Sequence, residues 1–148
     1  MLGGLKLEES YAAGVVHEAE QIENLTFGGF VHPNDIDAYY RRAYLYVNTS
    51  SLEGFPNTYL HSWRNGLPVF TIDIDPDSLI ADNGIGLTAG DFDKLAEEVK
   101  SIIGDPARRN AMSERALEYV RKNHDIREKG NQYIELFERI TGLQKSSS

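Results

Sequence analysis

The sequence has no cysteine and no long apolar segment, and both absences narrow its class. Without cysteine, the 148-residue chain forms neither a disulfide nor a cysteine-ligated zinc site. No apolar run approaches the roughly 20 residues that a membrane-spanning helix needs. The opening residues Met1 to Gly4 lack the charged and apolar regions of a signal peptide. We therefore expect a soluble protein of a reducing compartment, the cytoplasm.

Positive charge is also scarce, because 15 lysines and arginines stand against 23 aspartates and glutamates, for a net charge of -8. A nucleic-acid partner requires a basic face, and the basic residues here are scattered through predicted helices. The charge therefore argues against nucleic-acid binding. A small anionic ligand stays compatible with it, because helix N-termini and backbone amides bind anions without bulk positive charge.

Apolar spacing predicts that strands and helices alternate along the chain. Strands are predicted at residues 25–27, 44–47, 69–72 and 85–88, and helices at 6–23, 35–42, 91–103, 105–124 and 125–140, with a shorter helix starting at Pro56 and an acidic loop from 73 to 83. This order predicts an α/β, Rossmann-like parallel sheet with helices on both faces and a helical C-terminal tail. We expect one domain over residues 1–143 and a frayed tail at 144–148.

The most informative stretch lies between two of these strands and contains an acidic-glycine turn followed by a short helix. Gly54 would let the backbone turn sharply because it has no Cβ. Pro56 would take the first helical position, where its missing N–H costs no hydrogen bond. The N–H groups of Phe55, Asn57 and Thr58 would then point outward at the positive end of the helix dipole. Such a helix start binds phosphate, so all five residues are predicted to bind substrate.

The motif Glu53-Gly54-Phe55, followed by a helix and by Asn-Gly-Leu-Pro-Val at residues 65–69, resembles the signature of retaining glycosyltransferases of family 4. In that family the signature lies in the C-terminal half of the two-domain GT-B fold and contains two glutamates separated by seven residues. The resemblance implies that Glu53 is the catalytic residue that lies against the donor sugar and its phosphate. It also implies that the turn from Gly54 to Asn57 binds the diphosphate.

The sequence departs from the family at the second glutamate, because His61 takes its place. In the family that glutamate holds the ribose hydroxyls of the nucleotide, so the resemblance makes His61 a substrate-binding residue by position. A neutral imidazole has one donor and one acceptor and can still bond to a ribose hydroxyl. The alternative is a partly buried helix residue between Tyr59 and Trp63 without ligand contact.

The resemblance extends over most of the chain. Residues 24–31 are similar to a family strand that precedes the motif, and we include Gly29 and Phe30 among the predicted substrate-binding residues. Residues 80–90 are similar to the loop and edge strand that follow the motif. The first four residues are similar to the end of a further strand, and the acceptor-binding domain that precedes it in the family is absent.

The function that this resemblance implies is binding of a nucleotide-diphospho-sugar for transfer of a glycosyl group, of hexosyl type, with retention. The resemblance implies no metal and no cofactor. We interpret the chain as the donor-binding fragment of a longer enzyme, inactive alone, whose missing partner is the N-terminal GT-B domain. Any peripheral membrane association would occur through that missing half.

Several alternatives stay open. The chain could be a stand-alone, non-catalytic nucleotide-binding or interaction module, or a flavodoxin-like or dinucleotide-binding domain. The stretch from Gly84 to Ala89 fits the dinucleotide pattern, although Leu87 and Thr88 within it predict a strand instead of a helix. Asp73 and Asp75 follow a strand, as the metal-binding pair of another glycosyltransferase fold does. Glu53 could simply cap the helix that follows it.

Overall fold

The computed structural model describes residues 9–142 of the chain, with side chains from residue 13 onward. The chain divides into two compact units at Arg42 and Ala43, and each is described by itself. The first unit contains helices α1 (Glu9–Glu20) and α2 (Ile36–Arg42), which confirm two predicted helices within the described residues. Residues 6–8 of the first predicted helix lie outside the described residues.

The strand predicted at residues 25–27 is wrong, because this segment is irregular. Gly29 forms an isolated β-bridge and has a φ of +60°, which is left-handed backbone. A left-handed residue ends an extended run, and within the described residues no regular strand pairs with residues 25–27. The strand propensity of this segment is therefore not realised in the part of the chain that the structure describes.

The second unit is an α/β sheet with its helices. Its elements are β1 (Tyr46–Asn48), α3 (Asn57–Arg64), β2 (Val69–Thr71), a 3₁₀ turn (Pro76–Ser78), α4 (Leu79–Asn83), β3 (Gly86–Thr88), α5 (Phe92–Ile103), α6 (Pro106–Asn123) and α7 (Ile126–Thr141). The strands pair in parallel in the order β1-β2-β3, with Val69 between Tyr46 and Gly86 in the register. The predicted parallel α/β architecture is confirmed.

Helices cover both faces of this sheet, as the side chains of β2 show. Val69 packs on one face in a buried cluster from α3, α4 and α6, and Phe70 packs on the other face in a cluster from α5 and α6. The first cluster contains Tyr59, Trp63, Ile74, Ile80, Ile85 and Ala116, and the second contains Leu95, Ile102 and Met112. Alternate residues of a strand point to opposite faces, so β2 lies at the centre of the buried core.

The predicted acidic loop before residue 83 is wrong, because it contains the 3₁₀ turn and α4. The Asp75 carboxylate accepts hydrogen bonds from the backbone N–H of Ile80 at 2.7 Å and of Ala81 at 3.2 Å. An aspartate that bonds the first amides of a helix stabilises its start, so the acidic residue promotes a helix here. Within residues 9–142, three or more histidine, aspartate or glutamate side chains do not cluster as metal ligands.

The two glycines of the dinucleotide-like pattern have structural roles. Gly84 ends α4 with a left-handed φ of +59°. A Cβ on Gly86 would overlap the Val69 carbonyl group, so only glycine lets β3 approach β2 here. A strand begins at the second of these glycines, in contrast to the helix that the dinucleotide fingerprint requires.

The predicted helices at the end of the chain are confirmed, and an aspartate caps each of them. Asp91, Asp105 and Asp125 accept hydrogen bonds from backbone amides at the starts of α5, α6 and α7, at 2.8–2.9 Å for the shortest bond of each. The predicted tail at 144–148 lies outside the described residues. Within residues 9–142, every helix is too short or too polar to cross a membrane.

Candidate functional site

The start of α3 lies at the edge of the sheet where the parallel strands end. β1 ends at Asn48, and the loop that carries Glu53 leads to Pro56, after which α3 begins at Asn57. Pro56 is extended, with φ -69° and ψ 118°, so it precedes the helix by one residue instead of opening it as predicted. The N–H groups of Asn57 and Thr58 are the first two of the helix, and helix geometry gives such groups no carbonyl partner within it. They mark the positive end of the α3 dipole.

Glu53 is exposed in the loop between β1 and α3, and its charge acts on Tyr46 of β1 and Tyr59 of α3. Burial raises the pKa of Tyr46, a hydrogen bond with the Thr58 side chain lowers it, and the negative charge of Glu53 raises it further. Burial also raises the pKa of Tyr59, with a smaller contribution from the same carboxylate. Within the described residues the Glu53 carboxylate accepts no hydrogen bond, so it does not cap α3. It is a solvent-facing carboxylate close to the start of the helix.

The loop beside Glu53 has open space above its glycine. The backbone bends at Gly54 and Phe55 as expected, but Gly54 does not adopt a positive φ and a Cβ placed on it would meet no atom within 4 Å. Packing within the described chain therefore does not require glycine here. Phe55 lies against Trp63, with ring centroids 6.4 Å apart in an edge-to-face arrangement, and this contact holds the end of the loop on α3.

A groove of about 300 Å³ runs from the first turn of α3 to the last turn of α6. Asn57, Leu60, His61, Arg64, Val120 and His124 line it. His61 is half-buried and lies one helical turn after Asn57, so it faces the groove while Tyr59 and Trp63 face the core. Arg64 Nη2 lies 3.4 Å from His61 Nδ1, and because a guanidinium only donates, a hydrogen bond between them makes this nitrogen the acceptor.

Four groove residues were not predicted from the sequence: Leu60, Arg64, Val120 and His124. Burial lowers the pKa of His124, and the positive charge of Lys129 lowers it further, so neutral imidazole is favoured. Its Nε2 lies 3.4 Å from the Tyr119 hydroxyl. The sequence places His124 only at the end of a helix, a position that predicts a solvated side chain. The packing of α6 beside α3 is what brings it to the groove.

The structure therefore brings together the predicted residues from Glu53 to Thr58 and His61. Gly29 and Phe30 belong to the first unit, where Gly29 forms its left-handed turn and Phe30 is 74% exposed. Their role in substrate binding stays a prediction.

The profile of the family described as "Glycosyl transferases group 1" matches residues 2–119. A curated relative, poly(glycerol-phosphate) alpha-glucosyltransferase from Bacillus subtilis (strain 168), is 31% identical over 90 residues. These residues are 58% of this chain and 13% of that protein. The chain thus spans a small part of this relative.

Two solved structures share the fold at 20% sequence identity. The crystal structure of Anabaena Alr3699/HepE in complex with UDP matches 93% of this chain and 39% of its own, with a TM-score of 0.77. Sucrose-phosphate synthase (tll1590) from Thermosynechococcus elongatus matches 95% of this chain and 38% of its own, with a TM-score of 0.79. The chain spans less than two fifths of either structure, and these likenesses establish its fold.

Proposed function

The chain belongs to the glycosyl transferases group 1 family, and from this premise we propose that it is the donor-binding half of a GT-B, family 4-like retaining glycosyltransferase. It holds a nucleotide-diphospho-sugar while a glycosyl group, of hexosyl type, passes to an acceptor. One observation carries the proposal: the exposed Glu53 carboxylate and the start of α3 lie together at the C-terminal edge of a parallel sheet. Open α/β sheets bind ligands at this edge.

The proposed role of α3 is to bind the diphosphate. The N–H groups of Asn57 and Thr58 and the helix dipole provide a fixed positive potential. Negative charge builds up on the leaving phosphate as the glycosidic bond breaks, and a preorganised potential stabilises that charge without reorganisation. This role requires no metal ion. The structurally similar Anabaena protein was crystallised in complex with UDP, which supports a nucleoside diphosphate as the ligand.

The proposed role of Glu53 is contact with the donor sugar. Its carboxylate is exposed and makes no helix-capping bond in the described chain, so protein stability does not account for it. The open space above Gly54 leaves room for a ligand beside it. The groove that starts at Asn57 would take the nucleoside, with His61 at the ribose.

The proposed enzyme is larger than this chain. The chain spans 38–39% of the two structural relatives, which leaves room in a homologous enzyme for an acceptor-binding half. In this proposal residues 1–143 form one donor-binding domain, and the N-terminal GT-B domain is its partner. In this proposal an arginine and a lysine outside this chain neutralise the diphosphate, and the enzyme works in the cytoplasm.

His61 favours a second candidate function. A histidine in place of the second family glutamate removes a carboxylate that would accept two ribose hydroxyls. A nucleotide-binding or interaction module without catalysis would tolerate this change. Transfer activity of the full-length protein separates the two functions, because the module would bind nucleotide and transfer nothing.

Calorimetry of the chain with several nucleoside diphosphates tests the proposed site. We expect dissociation constants from high micromolar to millimolar, or about 4 to 6 kcal/mol, because few backbone amides bind the ligand without domain closure. Gly54→Asp should abolish binding, because the loop has room for the side chain while its charge repels the diphosphate. Gly130→Asp in α7, where a Cβ also meets no atom within 4 Å, is the control that should bind as the wild type does. Nanomolar binding, sugar transfer by the chain alone, or normal binding by Gly54→Asp would contradict the proposal.

A further inference from the structure

A buried chain of hydrogen bonds lies beneath the Glu53 loop. The Tyr59 hydroxyl accepts a hydrogen bond from Asn48 Nδ2 at 3.1 Å and donates one to the Ile74 carbonyl oxygen at 2.9 Å. Asn48 Oδ1 accepts a further bond from the backbone N–H of Ser50 at 2.9 Å. Tyr59 is completely buried and Asn48 is 6% exposed, so water does not compete for these bonds.

These bonds join three segments at the C-terminal edge of the sheet. Asn48 and Ser50 begin the loop that carries Glu53, Tyr59 belongs to α3, and Ile74 lies in the loop after β2. The Ile74 N–H in turn donates to the buried Thr71 hydroxyl at 3.3 Å, which extends the chain of bonds to the end of β2. The phenol thus connects the base of the loop to the helix whose first amides lie beside Glu53.

The hydroxyl of Tyr59 has no role in filling the core. Its ring already packs edge-to-face against Tyr46 at 6.1 Å and Trp63 at 5.6 Å, and a phenylalanine would make the same contacts. Burying a hydroxyl and an amide costs free energy that their mutual hydrogen bonds only roughly offset. The hydrogen bonds fix the distances and directions between the groups that they join, and apolar contacts do not.

The loop above needs such a fixed base. Residues 51 to 55 are all exposed, so little packing holds them in place. The loop is fixed at its start by the Ser50 bond to Asn48 and at its end by Phe55 on Trp63. A shift at the start would move Glu53 relative to the first turn of α3.

We propose that Asn48 and Tyr59 are positioning residues, which hold the Glu53 loop against α3 so that the carboxylate and the helix start meet one donor in a fixed geometry. This inference rests on the proposed function. Neither residue touches the ligand, and both act through the loop. Small misplacements of reacting groups cost large factors in rate, so the turnover should depend on them more than nucleotide affinity does.

Tyr59→Phe in the full-length enzyme is the direct test. We expect kcat to fall roughly tenfold while the KM for the donor stays within about twofold, because the diphosphate site on α3 is retained. Tyr133→Phe is the control: it also removes a tyrosine hydroxyl, but from a side chain of α7 that is 62% exposed and lines neither the loop nor the groove, and it should leave kcat unchanged. A kcat of Tyr59→Phe within about twofold of the wild type would overturn the inference, as would an equal loss in Tyr133→Phe.

Hydrogen exchange of the chain gives a readout that does not depend on activity. Tyr59→Phe should speed exchange of the Ser50 amide, whose acceptor Asn48 loses its buried partner, and should leave the β2 amides protected. Unchanged exchange at Ser50 would overturn the inference. Failure of the wild-type full-length protein to transfer sugar would instead refute the proposed function, and the exchange result would then decide the role of Tyr59 alone.

Discussion

Strand β2 and helix α7 both contain large apolar side chains, yet those of β2 are buried and those of α7 are exposed. Every residue of β2 is buried, whereas no residue of α7 is. The large apolar residues of α7 are all exposed: Ile126, Tyr133, Ile134, Leu136, Phe137 and Ile140. The strand has a partner on each side and helices on both faces, and the helix extends beyond that core. Apolar periodicity therefore predicts which face of an element is apolar. It does not predict whether another element packs on that face.

The comparison also separates stability from function within the second unit. The buried residues around β2 stabilise the sheet, while Glu53 and the groove lie at its rim, where side chains are exposed or half-buried. Substitutions in the core should therefore change the free energy of unfolding. Substitutions at the rim should change binding and turnover with little effect on stability.

The largest effect is expected for Phe70→Ala, and Phe137→Ala is its matched partner. Phe70 is completely buried in β2, so truncation should lower the free energy of unfolding by about 3 to 5 kcal/mol. Phe137 in α7 is 62% exposed, so the same truncation in the isolated chain should cost less than about 0.5 kcal/mol. Urea unfolding of both variants measures the difference. Equal losses would show that the α7 face is covered in solution.

The second largest effect is expected for Glu53→Gln in the full-length enzyme. Turnover should fall on the order of a hundredfold, equivalent to about 2.7 kcal/mol, because the carboxylate contributes most in the transition state. The melting temperature should barely move, because Glu53 is exposed and caps no helix. Steady-state kinetics and thermal unfolding of one variant give both values. A destabilised protein whose folded fraction keeps normal turnover would refute the assigned role.

A smaller effect is expected for His61→Glu at the groove. The new carboxylate would accept hydrogen bonds from two ribose hydroxyls and tighten nucleoside diphosphate binding by roughly 1 to 2 kcal/mol. Inorganic pyrophosphate lacks the ribose and serves as the control ligand in the same calorimetric titration. An equal change for both ligands, or none, would show that His61 does not contact the ribose.

The smallest effect is expected at Asp91, the cap of α5. The hydrogen bond from the Lys94 backbone N–H holds the pKa of Asp91 below its usual value. A lowered native pKa stabilises the fold above the unfolded-state pKa, and this contribution is lost as the pH falls through the native pKa. Asp91→Asn, which keeps an acceptor oxygen, should therefore melt below the wild type near neutral pH and equal to it at about pH 2. A difference that persists in acid would assign the loss to packing.

The sequence predicted those elements whose signals are local. Asp91 and Asp105 cap α5 and α6, Pro106 opens α6, and Gly66 and Pro68 separate the end of α3 from β2. Where the outcome depended on contacts, prediction was wrong. The strand at residues 25–27 did not form beside its glycine turn, and the acidic segment before residue 83 folded because Asp75 reaches two amides of α4.

By itself the sequence determined the parallel α/β class, the Glu53 motif and the position of the helix after it, because these depend on periodicity, turn residues and spacing within one segment. Only the tertiary structure decided what surrounds them. It packed α6 beside α3 so that His124 lines the groove with His61, and it connected Asn48 to Tyr59 beneath the loop. In the described part of the structure, Glu53 makes no capping hydrogen bond to α3. Such pairings join residues far apart in the chain, and their geometry is fixed only when the whole core packs, since no local propensity encodes it.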